Sequence, residues 1–421
     1  MKNNVKLLKM KKLRIAISFA LAASVGQASA LDLLADFQKA TAYDPTFQTA
    51  VAERQANQAT ANQAYTAYAP SASFNNTRIQ TDSANRTTIS VSQPLLNYEA
   101  LSTFKQAEPR QGFAEATFVV KQQDLATRLL KAANAIILAN ENIKFNSAKI
   151  TALNQQYLAA KKKLELGQGT ITDLRDIEVK AAQAKSAQIG FKNQLDIAAK
   201  QYAAITGERP NVGEFVLTQQ HGKVALKQVQ DYIDLALQNN PAILVTKFSE
   251  RVSELDVQKA TGAFLPTFSA TYTDSKSGAT NNRYTGVVVN LPLGASAYFA
   301  RQGSEANYLK AKETRRDSEE KTRVDVEKLR SQIDTGFESL DIQLDAIKAA
   351  ELSVEANTKS YEGGVRSAVD VLNATQTVFQ VKSEYVTSVT TQTENLLALM
   401  NLVSSNPQES LEVAYKYLFA R

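Results

Sequence analysis

This 421-residue chain contains no cysteine, no tryptophan and a single histidine, and each absence removes a class of function. Without cysteine there is no disulfide framework, no thiolate metal site and no Cys for lipid attachment at a mature N-terminus. The lone His221 sits in a polar stretch with no neighbouring ligands, which fits an exposed side chain and not a metal or catalytic centre. No G-x-x-x-x-G-K-[ST], G-x-S-x-G or H-E-x-x-H pattern occurs, so no catalytic residue and no cofactor site is assigned. Beyond the first thirty residues no apolar run is long enough for a transmembrane helix.

Those first thirty residues form a unit of their own. Lys2, Lys6, Lys9, Lys11, Lys12 and Arg14 precede an apolar run from Ile15 to Val25 and the small-residue pattern Ala28-Ser29-Ala30. This order is that of a secretory signal peptide over 1–30, with Met10 as a second candidate start. The whole chain carries 48 basic and 42 acidic residues, and six of the basic ones lie in this leader. The mature chain is therefore balanced at 42 against 42, and the pI near 9.1 does not point to nucleic acid. A secreted chain of this kind is periplasmic, released, or held in an outer membrane by β-strands.

What is present is a duplication. Pro45 and Pro241 are 196 residues apart, and so are Pro70 and Pro266. Val91-Ser92-Gln93-Pro94-Leu95 answers Val289-Asn290-Leu291-Pro292-Leu293, and Gly167 with Asp173 answers Gly364 with Asp370 at a separation of 197. The unit is too long for a solenoid repeat and implies one architecture built twice. The boundaries read as a first repeat over 31–210, a linker over 211–228, a second repeat over 229–403 and a peripheral tail over 404–421.

Each repeat opens with helical sequence broken at Asp44-Pro45 or Asn240-Pro241, where Pro suits the first turn of the next helix. The period then changes to two. Phe268, Ala270 and Tyr272 alternate with Ser269, Thr271 and Thr273, and Ile89 and Val91 alternate with Ser90 and Ser92. This predicts hairpins at about 70–96 and 266–293, with strands near the length a tilted membrane strand needs. Soluble hairpins are the competing reading. With no Trp, an aromatic girdle would fall to Phe268, Tyr272, Tyr284, Tyr298 and Phe299.

Very long helix pairs follow, over about 98–206 and 298–403. Leu125, Leu129, Ala132, Ile136, Ala139, Ile143, Ile150, Leu153, Tyr157, Ala160 and Leu164 are spaced by threes and fours with few exceptions. Val326, Ile333, Leu340, Ile347 and Val354 stand in the same register of the second repeat. A helix of about 65 residues is about 100 Å long. Pro109 and Gly112 predict a kink or unwinding near the start of the first. Lys161-Lys162-Lys163 reads as a solvated helix end.

Two hairpins give four strands, which cannot close a barrel, and lipid does not tolerate open sheet edges. Several chains must then share one barrel. Twelve strands from three would close around a lumen, though geometry alone leaves the copy number open. The competing architecture is a secreted soluble coiled-coil adaptor or adhesin.

The order helix, hairpin, long helix, Gly turn and returning helix, duplicated behind a signal peptide, resembles the TolC family of outer-membrane channel-tunnels. Tyr361-x-x-Gly364-x-Arg366-x-x-x-Asp370-Val371-Leu372-Asn373-Ala374 resembles that family's second-repeat turn, and Gly167-Gln168-Gly169-Thr170-Ile171-Thr172-Asp173-Leu174 its first-repeat turn. The resemblance spans essentially the whole mature chain. It implies a mainly α fold assembled as a homotrimer, with a shared 12-stranded β-barrel among outer-membrane lipids and an α-helical barrel crossing the periplasm. It also implies docking to a periplasmic adaptor and an inner-membrane ABC or proton-driven transporter, for type I protein secretion or multidrug efflux.

By the same resemblance Asp370 lines the periplasmic mouth, where Asn373 replaces a second acidic residue. Tyr361 and Arg366 would tie the closed tip to Thr172 and Asp173 of the neighbouring helix pair. Gly167, Gln168, Gly363, Gly364 and Val365 would meet the adaptor. Helix capping by Asp173 and Asp370, and simple tight turning by the glycines, are the competing explanations.

Overall fold

The computed structural model describes residues 32–78, 85–217, 226–292 and 294–419. The basic leader, His221 and part of the 211–228 linker lie outside them. The first repeat runs α1 (Leu33–Tyr43), α2 (Pro45–Tyr65), β1 (Ser71–Arg78), β2 (Asn85–Leu96), α3 (Tyr98–Lys105), α4 (Ala107–Glu165) and α5 (Ile171–Thr206). The second runs α6 (Val229–Asn239), α7 (Pro241–Gly262), β3 (Thr267–Ser277), β4 (Thr280–Asn290), α8 (Ser296–Glu362) and α9 (Ala368–Val403), followed by α10 (Pro407–Phe419).

The Pro breaks are capped junctions. Asp44 is buried, accepts from the Phe47 N–H at 2.8 Å and is held by Arg128, whose Nη2 lies 2.7 Å from its Oδ2. At the matching position Asn240 accepts from the Ala242 N–H at 2.8 Å. Pro45 and Pro241 each begin a helix where no N–H is needed.

Helices α4 and α8, 59 and 67 residues long, are the two full-height columns. Beside α4, α2 occupies the upper half through Arg54–Glu115 and Phe47–Phe118, and α5 the lower half through Asn146 and Ala184. Beside α8, α7 and α9 divide the height in the same way, through Glu250–Arg315 above and Gln392 on the Ile333 carbonyl below. The wall is one helix thick. Leu125, Leu129, Ala132, Ile136, Ala139, Leu153, Ala160, Val326, Ile333 and Leu340 are buried. Ile143, Ile150, Tyr157, Leu164, Ile347 and Val354 of the same series are half-buried.

Short helices α1, α6 and α10 form a collar against the middle of α4 and α8 and the C-terminal half of α9. Leu33, Phe37, Leu129, Ile136, Val389, Leu396, Leu411 and Tyr417 share its core. The tail from Ser404 is therefore not peripheral: α10 is an apolar-faced helix with Leu411 and Ala414 fully buried. Phe215, in the stretch read as a linker, is also buried and stacks edge-on with Tyr202 at 5.3 Å.

The kink near the start of the first long helix falls at Gln106, between α3 and α4, not at Pro109 or Gly112. Pro109 lies in the first turn of α4, whose N–H groups have no intrahelical partner. Gly112 is helical and is required for close approach, since a Cβ there would meet the Phe248 ring at 2.5 Å.

The strands form one antiparallel sheet in the order β1-β2-β3-β4, so the two repeats join at β2–β3. The register sorts its faces. Phe74, Ile89, Val91, Phe268, Ala270, Tyr272, Val287 and Val289 share one side, with Gln93, Thr285 and the Asp274–Arg283 ion pair as its polar members. The other carries Ser71, Ser73, Asn75, Thr88, Ser90, Ser92, Thr271, Thr273, Ser275 and Asn282, with Tyr284 and Val288 as exceptions. Tyr284 thus lies on the polar face, away from Phe268 and Tyr272 with which the sequence grouped it. A register shift at Leu95 follows Pro94, which cannot donate to the ladder. No helix among the described residues is long and apolar enough to cross a membrane.

Candidate functional site

The two connections at the far end of the columns, from Leu166 to Thr170 and from Gly363 to Ser367, have the same construction. In the first, the Gln168 N–H reaches the Lys163 carbonyl at 2.8 Å and the Gly167 N–H the Leu164 carbonyl at 3.0 Å. In the second, the Val365 N–H reaches Ser360 at 2.9 Å and the Gly364 N–H reaches Tyr361 at 3.1 Å. This is the Schellman pattern, which needs a left-handed residue at its apex. Gly167 (φ 72°) and Gly364 (φ 75°) supply it. No atom lies within 4 Å of where a Cβ would stand on either, so backbone conformation, not space, selects glycine here.

Each returning helix is capped in turn. The Thr170 hydroxyl accepts from the Asp173 N–H at 3.1 Å and donates to its Oδ2 at 2.8 Å. Ser367 and Asp370 form a reciprocal capping box: the Ser367 N–H and hydroxyl reach Asp370 Oδ2 at 3.0 and 2.9 Å, and the Asp370 N–H returns to Ser367 Oγ at 3.3 Å. Both caps are visible in the sequence as Thr-x-x-Asp and Ser-x-x-Asp.

These hydrogen bonds from Ser367 to the ionised carboxylate hold Asp370 below the ordinary aspartate range, with Arg366 adding to the effect. A depressed carboxyl pKa stabilises the folded form above the unfolded value, about 3.9, and loses that contribution as pH falls through the folded one. Amide exchange at Ser367, whose N–H donates to the Asp370 carboxylate, is expected to be unchanged from pH 7 to 5 and faster, relative to intrinsic rates, below about pH 4. Asp370→Ala should give the unprotected pattern at every pH; equal protection in the two proteins would contradict the capping role.

Under the turns lies a small core of Leu153, Ala160, Leu174, Ile177, Ala184, Ala368 and Leu372, against which Tyr361 packs half-buried. Burial raises the Tyr361 phenol pKa, and the nearby negative charge of Asp173 adds to this. Lys163 is not simply part of a solvated helix end, because it joins the two repeats. Its Nζ donates to the Tyr361 carbonyl at 2.6 Å and sits 3.9 Å from the centre of the Tyr361 ring.

Arg366, exposed, approaches Asp370 Oδ1 at 3.8 Å within its own helix turn. Among the described residues no hydrogen bond or ion pair joins Arg366 or Tyr361 to Thr172 or Asp173 of the same chain. Thr172, Asn373, Gln168, Gly363 and Val365 are exposed, Val365 at 82%. The tip is therefore a pair of pre-capped turns that present unpaired polar groups and the exposed apolar side chains of Leu166, Ile171, Val365 and Val369 to whatever lies beside it.

The chain is similar to the alkaline protease secretion protein AprF of Pseudomonas aeruginosa, with 25% identity over 389 residues covering 85% of this chain and 81% of that one. It is equally similar to the proteases secretion protein PrtF of Dickeya chrysanthemi, 25% identical over 418 residues covering 89% and 88%. Its fold matches the crystal structure of the outer membrane protein VceC from Vibrio cholerae with a TM-score of 0.74 at 16% identity, covering 88% of this chain and 95% of VceC. The family model described as "Outer membrane efflux protein" matches residues 37–208 and 232–405, one segment per repeat. The chain belongs to the outer membrane efflux protein family.

Proposed function

We propose that three copies of this chain close a twelve-stranded barrel in the outer membrane and continue it as a helical tube across the periplasm, forming a passive export duct. The observation that carries the reading is the sheet. Its outer strands β1 and β4 are exposed along their whole lengths and leave two open edges, while one face carries most of the apolar side chains, with its two charges paired as Asp274–Arg283 towards the hairpin end, and the other is rich in Ser and Thr. Lipid on one side, water on the other and a neighbouring copy at each edge satisfy all of it.

Energy and cargo selection come from an inner-membrane transporter reached through a periplasmic adaptor that meets the turns at Gly167, Gln168, Gly363, Gly364 and Val365. Protein export by a type I route is the first reading of the cargo, supported by two relatives named for protease secretion. Small-molecule efflux is the second, supported by the family's description.

Arg366, Asp370, Tyr361, Thr172 and Asp173 act as the gate. Within one chain Arg366 makes only a long, exposed contact, so its remaining N–H groups are free to bridge to the next helix pair, and charge-assisted bonds at a wet surface can be exchanged. Lys163 holds the Tyr361 end of this set in place. Asn373 leaves one acidic ring where two would stand, which makes the mouth only weakly cation-selective.

Single-channel recording of the purified mature protein tests this. Small steady currents are expected from wild type, several-fold larger ones from Arg366→Ala, and a reduced cation preference from Asp370→Ala. An unchanged closed state in Arg366→Ala would count against the gate. No current from properly extracted wild type would sink the duct and leave the soluble coiled-coil reading.

A further inference from the structure

Just below the sheet, where α2 and α7 flank the α3–α4 kink, lies a cavity of 470 Å³ lined by Tyr65, Phe104, Lys105, Glu108, Pro109, Phe248 and Arg251. That volume is within the range of small-ligand sites. Its lining combines three chemistries. The exposed rings of Tyr65 and Phe104 meet edge-to-face at 5.6 Å and form an aromatic wall. Arg251 and Lys105 supply positive charge. Glu108 supplies a carboxylate.

Lys105 and Glu108 are three residues apart, but the kink at Gln106 falls between them, and neither takes part in an ion pair among the described residues. Arg251 pairs with Glu254 through one nitrogen and keeps its other donors. The signs of Lys105 and Glu108 suit the helix ends on which they stand. Helix-end electrostatics does not account for both unpaired charges sharing one cavity with an aromatic wall.

The level and side of the cavity narrow the ligand. Lys105 is seven residues below Tyr98, where the helices begin, hence about 10 Å beneath the end of the sheet. The headgroup layer extends about 5–8 Å beyond the hydrocarbon on each side of a bilayer, within reach of a lysine side chain. A lipid headgroup reaches the cavity only from the collar side of the wall. That side is the outer one, because collar helices from every copy would otherwise fill the lumen.

We propose that this cavity binds the phosphoethanolamine headgroup of a phospholipid in the periplasmic leaflet. Lys105 and Arg251 take the phosphate; Glu108 and the two aromatic rings take the ammonium. The site rests on the reading of the sheet as an outer-membrane barrel. A net-anionic headgroup would leave Glu108 opposed to its charge, and a trimethylammonium group could not donate hydrogen bonds to that carboxylate. A lipid held at the kink of every copy would fix the depth at which the barrel sits.

Native mass spectrometry of the purified, detergent-extracted assembly tests it, with phosphatidylethanolamine, phosphatidylglycerol and phosphatidylcholine of identical acyl chains added in turn. Retention of phosphatidylethanolamine is expected to exceed that of the other two by about tenfold, the discrimination of one charge-assisted hydrogen bond. The double variant Lys105→Gln with Glu108→Gln should lose that preference while its channel currents stay as in wild type. Equal retention of the three lipids, or an unaltered preference in the double variant, would overturn the site and leave the duct standing. Absence of wild-type current would remove the membrane placement, and the site with it.

Discussion

Changing Val287 and Val289 together to arginine is expected to abolish assembly of this protein in the outer membrane. The two valines alternate along β4, pair with Ala270 and Phe268, and are 61% and 57% exposed. Their face is the apolar one, and in a closed barrel it meets lipid. Arginine on the lipid face of a β-barrel costs about 2–4 kcal/mol at the bilayer midplane and less near the interfaces. Two such changes in each copy are multiplied by the number of copies that share the barrel, which compares with the whole folding stability of an ordinary domain. Thr271→Arg is the matched control. Thr271 lies on the same hairpin one residue from Ala270, on the Ser/Thr face, where an arginine can reach lumen water. Fractionation of cell envelopes with a heat-modifiability gel reads both. Wild-type levels of the heat-sensitive oligomer from the double valine variant would mean that the two faces are assigned the wrong way round.

Leu411→Asp should be the most damaging single change in the collar. Leu411 is fully buried in α10, within the core shared by Val389, Leu396 and Tyr417. Removing a buried leucine side chain costs about 2–5 kcal/mol through lost transfer energy and the space left behind. A carboxyl group in the same apolar site adds its desolvation, unless it takes up a proton and gives up its charge. Leu411→Ala isolates the first contribution. Thermal melts followed by far-ultraviolet circular dichroism should rank wild type above Leu411→Ala and that above Leu411→Asp, with the aspartate variant recovering part of its deficit at low pH. A Leu411→Asp melt coincident with wild type would show that α10 contributes nothing to the fold. Gln123 adds a second tie near this end of the chain, donating to the carbonyls of Asn401 and Ser404 at 2.9 Å each.

Patterns carried by neighbouring residues were legible before any coordinates. The 196-residue duplication, the two-residue alternation of the strands, the three-four spacing of the columns and the Pro breaks at Asp44 and Asn240 all depend on local backbone geometry, and the structure has each of them. The Gly turns belong with them, because a left-handed apex is a property of one residue and its immediate neighbours. So do the Thr170 and Ser367 caps, which stand three residues before Asp173 and Asp370.

The sequence by itself therefore determined the elements, their order and their repetition, since each follows from which backbone conformations and which burial period a short stretch can satisfy. Tertiary structure alone decided what meets across long separations. Lys163 finds Tyr361 at a distance of 198 residues, and Gly112 finds Phe248 on another helix. Asn134, Asn146 and Gln392 sit buried because backbone carbonyls of Thr390, Ala184 and Ile333 stand opposite to accept from them. The same holds for α10, which sequence placed at the periphery and packing placed in the core, and for Tyr284, whose face depends on its register with Thr273. Polar residues in a helix wall and a short amphipathic tail carry no mark of their partner. Whether they are buried is settled by the complementary surface, which exists only once the columns have been set side by side.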